Sequence, residues 1–182
     1  MSDYRRWFVP GGTYFFTVVT YNRYPFFRDD LARLLLGTAI REVQRELPFE
    51  MTAIVLLPEH LHCIWTLPSN DANYPERWTR IKERFTTKWI KGGGHEEPVT
   101  AAQQERGNRG IWQRRYWEHT IQDQRDLEQH CDYIHYNPVK HGLVSRVVDW
   151  QWSSFHRFVA EGQYSSDWGR SEPPGIVGLD FE

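Results

Sequence analysis

A chain of 182 residues, 40% hydrophobic and 25% charged, has the composition of one globular domain with enough length to bury a core. Its two cysteines, Cys63 and Cys131, form no Cys-x-x-Cys, which argues against a disulfide scaffold or an all-cysteine zinc site. The formal net charge of −2 argues against a uniformly basic nucleic-acid binder, and no window approaches the apolar length of a spanning helix, so the chain reads as soluble and cytoplasmic.

In chain order, the Gly-opened β-branched and aromatic run GGTYFFTVVTY (11–21) predicts a strand. Apolar residues at Leu31, Leu34, Leu35, Ala39, Ile40 and Val43 have helical spacing, with Asp29 or Asp30 as the N-cap and Pro48 as the stop. FEMTAIVLL and HLHCIWTL predict a strand pair turned tightly at Pro58-Glu59. ERWTRIKERFTTKWIK (76–91) predicts a basic helix ended by three glycines. The weakly periodic 95–108 reads as a loop, and GIWQRRYWEHTI (110–121) as a strand. DQRDLEQHCDYIHY predicts a helix begun by Asp123 and ended by Asn137-Pro138, because a residue before proline is pushed out of the helical region. A short element follows around DWQWSSFHRFV, and residues 161–182 read as a loose acidic tail behind a domain spanning 1–160. The order β-α-β-β-α-β is that of an α+β, ferredoxin-like antiparallel sheet, with helices on one face and the other face free to work.

Charge and aromatic residues are unevenly spread. Residues 76–91 hold six Lys/Arg against two Glu, and 106–115 hold four Arg and no acid. Arg80, Lys82, Arg84, Lys88, Arg114 and Arg115 are therefore candidates for tracking a phosphate backbone, unless they are simply solvated helix faces. Trp112, Tyr116 and Trp117, interleaved with arginines, are candidates for stacking on exposed bases, although aromatic residues more often fill cores. Arg5 and Arg6 on the N-terminal arm are candidates for gripping a strand or groove. His119, alternating with Trp117, is either a DNA contact or a structural hydrogen-bonding group.

Two histidines sit two apart in LLPEHLHCIW. Residues i and i+2 of a strand share a face, so His60 and His62 project together while Leu61, Cys63, Trp65 and Leu67 project into the core. Such a pair suits joint binding of a divalent cation, but two unrelated polar residues on a half-exposed strand would look the same. In CDYIHYNPVKHGLV, Tyr133 and Asn137 are four apart on a predicted helix and share a face. Tyr133 is a candidate nucleophile and Asn137 a candidate oxygen donor to the metal. The bland readings are a packed aromatic and a polar helix end.

Taken together, YRRWFVPGGTYFFTVVT, PEHLHCIW, WQRRYWEHTI, YIHYNPVKHGLV and SSFHRFV, in that order over residues 4–170, resemble the REP-associated tyrosine transposases, relatives of the single-tyrosine HUH transposases. The resemblance implies an HUH-type ferredoxin-like endonuclease acting on single-stranded DNA that folds into repeat-derived hairpins. It implies Mg²⁺ or Mn²⁺ held by His60 and His62, with Asn137 where related enzymes place a glutamine, and Tyr133 as the nucleophile. Tyr136, in the same motif, is the natural wrong choice. The implied reaction is transesterification through a 5′-phosphotyrosine with release of a 3′-OH. The resemblance implies a monomer, with a helix-exchanged dimer, as in related mobile-element enzymes, as the alternative. A hairpin-binding regulator that has lost cleavage and a metal-water hydrolase are the rival functions. The first would give no covalent adduct, and the second would not need Tyr133.

Overall fold

A computed structural model describes residues 8–181. Strands β1 (Thr13–Val19), β2 (Glu50–Leu56), β3 (His60–Thr66) and β4 (Trp117–Thr120) form one sheet in the order β2-β3-β1-β4, with every neighbouring pair antiparallel. Helix α1 (Asp30–Glu46) links β1 to β2, and α2 (Tyr74–Lys91) lies between β3 and β4. This is the expected α+β, ferredoxin-like connection. Local chemistry sets the ends. The Asp29 carboxylate accepts from the Leu31 and Ala32 amides, the Asn73 carboxamide accepts from the Glu76 amide, and α2 gives way at Gly92–Gly93, where Gly93 has φ +78°.

Alternation along β1 and β3 sorts the core. Tyr14, Phe16, Val18, Leu61, Cys63 and Trp65 face α1 and α2, packing on Leu36, Ala39, Val43, Trp78, Ile81 and Phe85. Trp65 stacks on Phe49 at 4.2 Å and on Trp78 at 4.4 Å. The opposite face carries Phe15, Thr17, His60, His62 and Ile64. It is not left free, as the sequence suggested. Helix α4 (Gln124–Lys140) lies over it through Cys131, Tyr133 and Ile134.

Within the basic run of α2, Arg77 is a core residue, 1% exposed. Its guanidinium donates to the carbonyls of Leu47 (3.2 Å), Pro48 (2.7 Å) and Asn73 (3.0 Å) and to the Asp71 carboxylate (2.7 Å). Arg77→Met removes a buried donor that serves four acceptors at once. We expect a loss of about 3–5 kcal/mol in urea unfolding, and a change under ~1 kcal/mol would contradict this role.

Four further sequence expectations need correction. Helix α4 runs through Asn137 and Pro138 to Lys140, because proline in a last turn forfeits one hydrogen bond and burial of Ile134, Asn137 and Pro138 outweighs that loss. The predicted strand 110–121 shrinks to β4: Ile111 is buried, Trp112 keeps one bridge to Thr20, and Gln113–Arg115 leave the ladder. The predicted loop 95–108 contains a short helix, α3 (Ala101–Glu105), opened by a Thr100/Gln103 capping box. The acidic tail is packed, not loose. Beyond α5 (Phe155–Ala160), Tyr164 stacks on Phe155 and Phe158, Trp168 packs on Tyr164, and Ile176 is buried. Its acidic composition hid these apolar anchors.

Candidate active site

The alternation of β3 turns both histidines toward α4, and each is fully buried. Their rings lie 4.8 Å apart at 79°. Each is held through its Nδ1. That of His60 is 2.9 Å from Glu59 Oε1, and this hydrogen bond, more than any other influence, holds the Glu59 carboxyl below the usual carboxylate range. That of His62 is 2.9 Å from Thr17 Oγ1. The Thr17 hydroxyl spends its only proton on the Phe181 carbonyl at 2.6 Å, so it accepts from His62 Nδ1–H. His62 Nε2 therefore carries a lone pair. It is buried and has no hydrogen-bond partner among the described residues. Burial first, then repulsion from His60, His141 and Lys140, keeps this imidazole neutral.

Asn137 completes the pattern. It is fully buried on α4, and neither atom of its carboxamide has a partner among the described residues. An unsatisfied buried amide costs about 1–3 kcal/mol, which makes this carboxamide a candidate for a partner from outside the described chain, water or a bound ion. A neutral imidazole nitrogen and a carboxamide oxygen, beside a second imidazole oriented by a carboxylate, form a donor set that suits a divalent cation.

Tyr133, one turn before Asn137, is 1% exposed and its ring lies 5.3 Å from that of His62. Its hydroxyl accepts from Lys140 Nζ at 3.2 Å and from the Phe181 amide at 3.2 Å. Lys140 is two turns along the same helix face, so a positive charge sits at the phenol oxygen. The same ammonium donates to the Leu179 carbonyl at 3.2 Å and lies 3.5 Å from Asp180. Tyr136 is placed elsewhere, beside Gly169. His141, whose ring is 5.3 Å from that of His60, was not singled out from the sequence. Its signal was there: it stands four residues after Asn137, at the end of the same helix.

The remaining candidates are spread over the molecule. Arg80, Arg84 and Lys88 turn toward α1 and pair with Glu46, Glu42 and Glu76. Lys82 faces the other way, donating to the Gln113 carbonyl beside the Trp112 and Tyr116 rings. Arg114 is exposed at the edge of a groove of about 860 Å³ between α2 and residues 96–114, and Arg115 is exposed next to it in sequence. Trp112 packs on Phe27 and Phe85, and Tyr116 on Phe16 and Trp78. Trp117 instead faces α4 and the tail. His119 Nε2 lies 2.8 Å from Asp126 Oδ2, the structural hydrogen bond foreseen as one of its two roles. Arg5 and Arg6 lie outside the described residues.

Buried histidines also set an acid limit. Burial lowers the pKa of His130 and takes that of His135 down to about 3. An unfolded histidine takes up a proton near pH 6.5, whereas His135 stays neutral while folded, so stability falls as pH drops below about 6.5, by roughly 1.4 kcal/mol per unit for His135, with His130 adding in the same direction. Urea midpoints measured with chelator at pH 7 and pH 5 should show this loss, and His135→Gln should reduce it. Equal midpoints would contradict it.

This geometry can be set beside known proteins. Residues 9–137 match the model of a family described as "Transposase IS200 like". A REP-associated tyrosine transposase of Escherichia coli (strain K12) is 46% identical over 171 residues, covering 92% of this chain and 91% of the relative. A solved structure of a REP-associated tyrosine transposase bound to a REP hairpin superposes with TM-score 0.77 at 42% identity, covering 96% of each chain. With more than two thirds of its length inside the family pattern, the chain belongs to the IS200-like transposases, in their REP-associated tyrosine transposase branch.

Proposed function

We propose that this transposase binds DNA hairpins of the repetitive extragenic palindrome type and cleaves an adjacent unpaired strand, with Tyr133 as nucleophile. His60, His62 and Asn137 would hold the divalent cation. The observation that carries this reading is the ring contact of Tyr133 with His62, whose buried Nε2 has no partner among the described residues, together with the Asn137 carboxamide, likewise unpartnered among them, one turn along the helix from Tyr133. The hairpin enters because a relative of similar length and fold is bound to one.

In the reaction, Tyr133 Oη attacks phosphorus. A Tyr–O–P bond forms and the P–O3′ bond breaks. The phenol proton is lost, and the departing 3′-oxygen ends as a hydroxyl. Bound Mg²⁺ or Mn²⁺ supplies neutralisation of the phosphate charge and polarises phosphorus. Thr17 and Glu59 keep the two imidazoles turned with Nε2 toward the site. Lys140 holds the phenol oxygen by a hydrogen bond and places positive charge where the phosphate arrives. Lys82, Arg114, Arg115, Arg5 and Arg6 would contact the backbone. Arg80, Arg84 and Lys88 would contribute less, because their charge is shared with α1. No helix among the described residues is long and apolar enough to cross a membrane, which agrees with work on DNA in the cytoplasm.

One observation favours the rival reading of a hairpin binder that does not cut: Phe181 and Lys140 both occupy the Tyr133 hydroxyl. Incubation with a hairpin carrying an unpaired flank and Mn²⁺, followed by a denaturing gel, separates the two. A covalent protein–DNA band is expected, and a wild-type chain that binds without ever forming one would leave only the regulator. Hairpin affinity should also exceed that for random duplex and fall steeply with salt. Neutralising Arg114 and Arg115 should flatten the salt slope by roughly one unit for each phosphate that no longer meets a positive charge. Equal affinity for hairpin and duplex would contradict this.

A further inference from the structure

The chain leaves β1 through a tight turn, Tyr21-Asn22-Arg23-Tyr24, closed by the Tyr24 amide donating to the Tyr21 carbonyl at 3.0 Å. Both central residues are left-handed, Asn22 with φ +52° and Arg23 with φ +51°. Positive φ at both positions is the type I′ pattern, which favours Asn followed by Gly. Asn22 fits that preference, whereas Arg23 stands where glycine would be unstrained. These two are the only non-glycine residues with positive φ among the described residues. Strain of this kind persists only where the surroundings fix the backbone, and here they do. Thr20 is fully buried, its amide donates to the Glu59 carbonyl at 2.9 Å, and its hydroxyl lies 2.8 Å from the carbonyls of Glu59 and Tyr24. The Tyr21 amide donates to the Ile111 carbonyl at 2.9 Å, and the Phe27 amide to that of Pro58 at 2.9 Å. The strained turn is thereby fastened to the β2–β3 turn that carries Glu59. Arg23 Nη1 lies 3.9 Å from Glu59 Oε1, the oxygen that meets His60 Nδ1 at 2.9 Å, and the arginine side chain is 43% exposed. From Tyr133 the contacts run through His62 and His60 to Glu59 and Arg23. Lys140 thus brings positive charge to the phenol, and Arg23 brings it to the His60 side of the site.

We propose that Arg23 is a phosphate-binding residue for the strand that departs with the 3′-OH. The proposal rests on Tyr133 being the nucleophile. In-line displacement expels the 3′-oxygen on the side of phosphorus away from the attacking phenol, and for a phosphate seated at the histidines that is the side of His60 and Arg23. A guanidinium grips a phosphodiester through paired N–H donors, whatever base is attached. Such a contact keeps the released 3′-end beside the phosphotyrosine, where its hydroxyl can attack phosphorus, re-form the P–O3′ bond and return the proton to the phenol. Glycine would make the same turn without strain but would bring no charge to the site.

The test measures binding of the full chain to a fluorescent hairpin of the repetitive extragenic palindrome type with an unpaired flank, by anisotropy, in chelator, so that no cleavage is required. Flank phosphates are replaced one at a time by neutral methylphosphonates. In the wild type, one replacement, at or immediately 5′ of the scissile phosphate, should weaken binding about tenfold, the scale of one hydrogen bond between charged groups. Arg23→Gln should weaken binding of the unmodified hairpin to the same extent and no longer respond to that replacement, and Arg23→Lys should recover part of both. Arg23→Gly should lose the same affinity yet melt at a higher temperature than the wild type, because the strain is gone. Three results would each overturn the proposal and leave Arg23 as a brace for Glu59: equal loss from that methylphosphonate in the wild type and Arg23→Gln, no responsive position or one only 3′ of the scissile phosphate, or an Arg23→Gly chain that melts lower than the wild type. Failure of the nucleophile assignment shows separately, as absence of a covalent adduct at Tyr133 when metal is restored, with the coupling between Arg23 and a flank phosphate intact.

Discussion

We expect His62→Ala to reduce covalent adduct formation by roughly 100- to 1000-fold, the scale of the several kcal/mol that a polarising cation would supply to a phosphoryl centre. His62 is the cleaner of the two histidines to test. Its Nε2 is buried without a partner among the described residues, and its Nδ1 state is fixed by Thr17. A readout besides cleavage comes from linkage: a ligand that binds only the folded state raises its stability. Mn²⁺ should raise the melting temperature of the wild type and leave that of His62→Ala unchanged. Asn137→Ala should weaken the Mn²⁺ response without abolishing it, since it removes one donor of the set. Equal stabilisation of the wild type and His62→Ala by Mn²⁺ would remove the metal site from these residues.

The second large effect is at Tyr133. Tyr133→Phe deletes one oxygen from a side chain that is 1% exposed and packed on Phe15, His62 and Phe181. The ring packing survives, so the fold and hairpin affinity should hold while the adduct vanishes. Tyr136→Phe should retain adduct formation, because Tyr136 lies beside Gly169 whereas it is the Tyr133 ring that meets His62. A metal-water hydrolase would still cut with phenylalanine at 133 and leave no protein on the DNA.

Much of this was legible in the sequence, for physical reasons. A period of two placed His60 and His62 on one face without any knowledge of what covered it. A spacing of four joined Tyr133 to Asn137. Spacing alone separates Tyr133 from Tyr136 by only about 60° around a helix, too little to choose; the family resemblance puts the weight on Tyr133, and its ring contact with His62 agrees with that. Pro138 misled, because the rule against a helical residue before proline is a local preference and the burial of Asn137 is tertiary. Thr17 and His130 were not picked out at all. Their roles depend on strand register and helix docking that bring together residues far apart in the chain: Thr17 pairs opposite His62 across β1 and β3. The tail was misread from its net charge, although a few well-spaced aromatic residues suffice to dock a segment. The basic helix was half right. Lys82 faces the groove, whereas Arg77 is a core residue and Arg80, Arg84 and Lys88 hold α2 to α1.

The attachment point of the DNA tests the central assignment most directly. After reaction of the wild-type chain with a hairpin substrate and Mn²⁺, the adduct is digested with nuclease and protease and the modified peptide is sequenced by mass spectrometry. The expected result is a nucleotide-phosphate mass on Tyr133, joined through the 5′-phosphate. A modification on Tyr136 or any other residue, or cut DNA with no modified peptide, would contradict the assignment of Tyr133 as nucleophile.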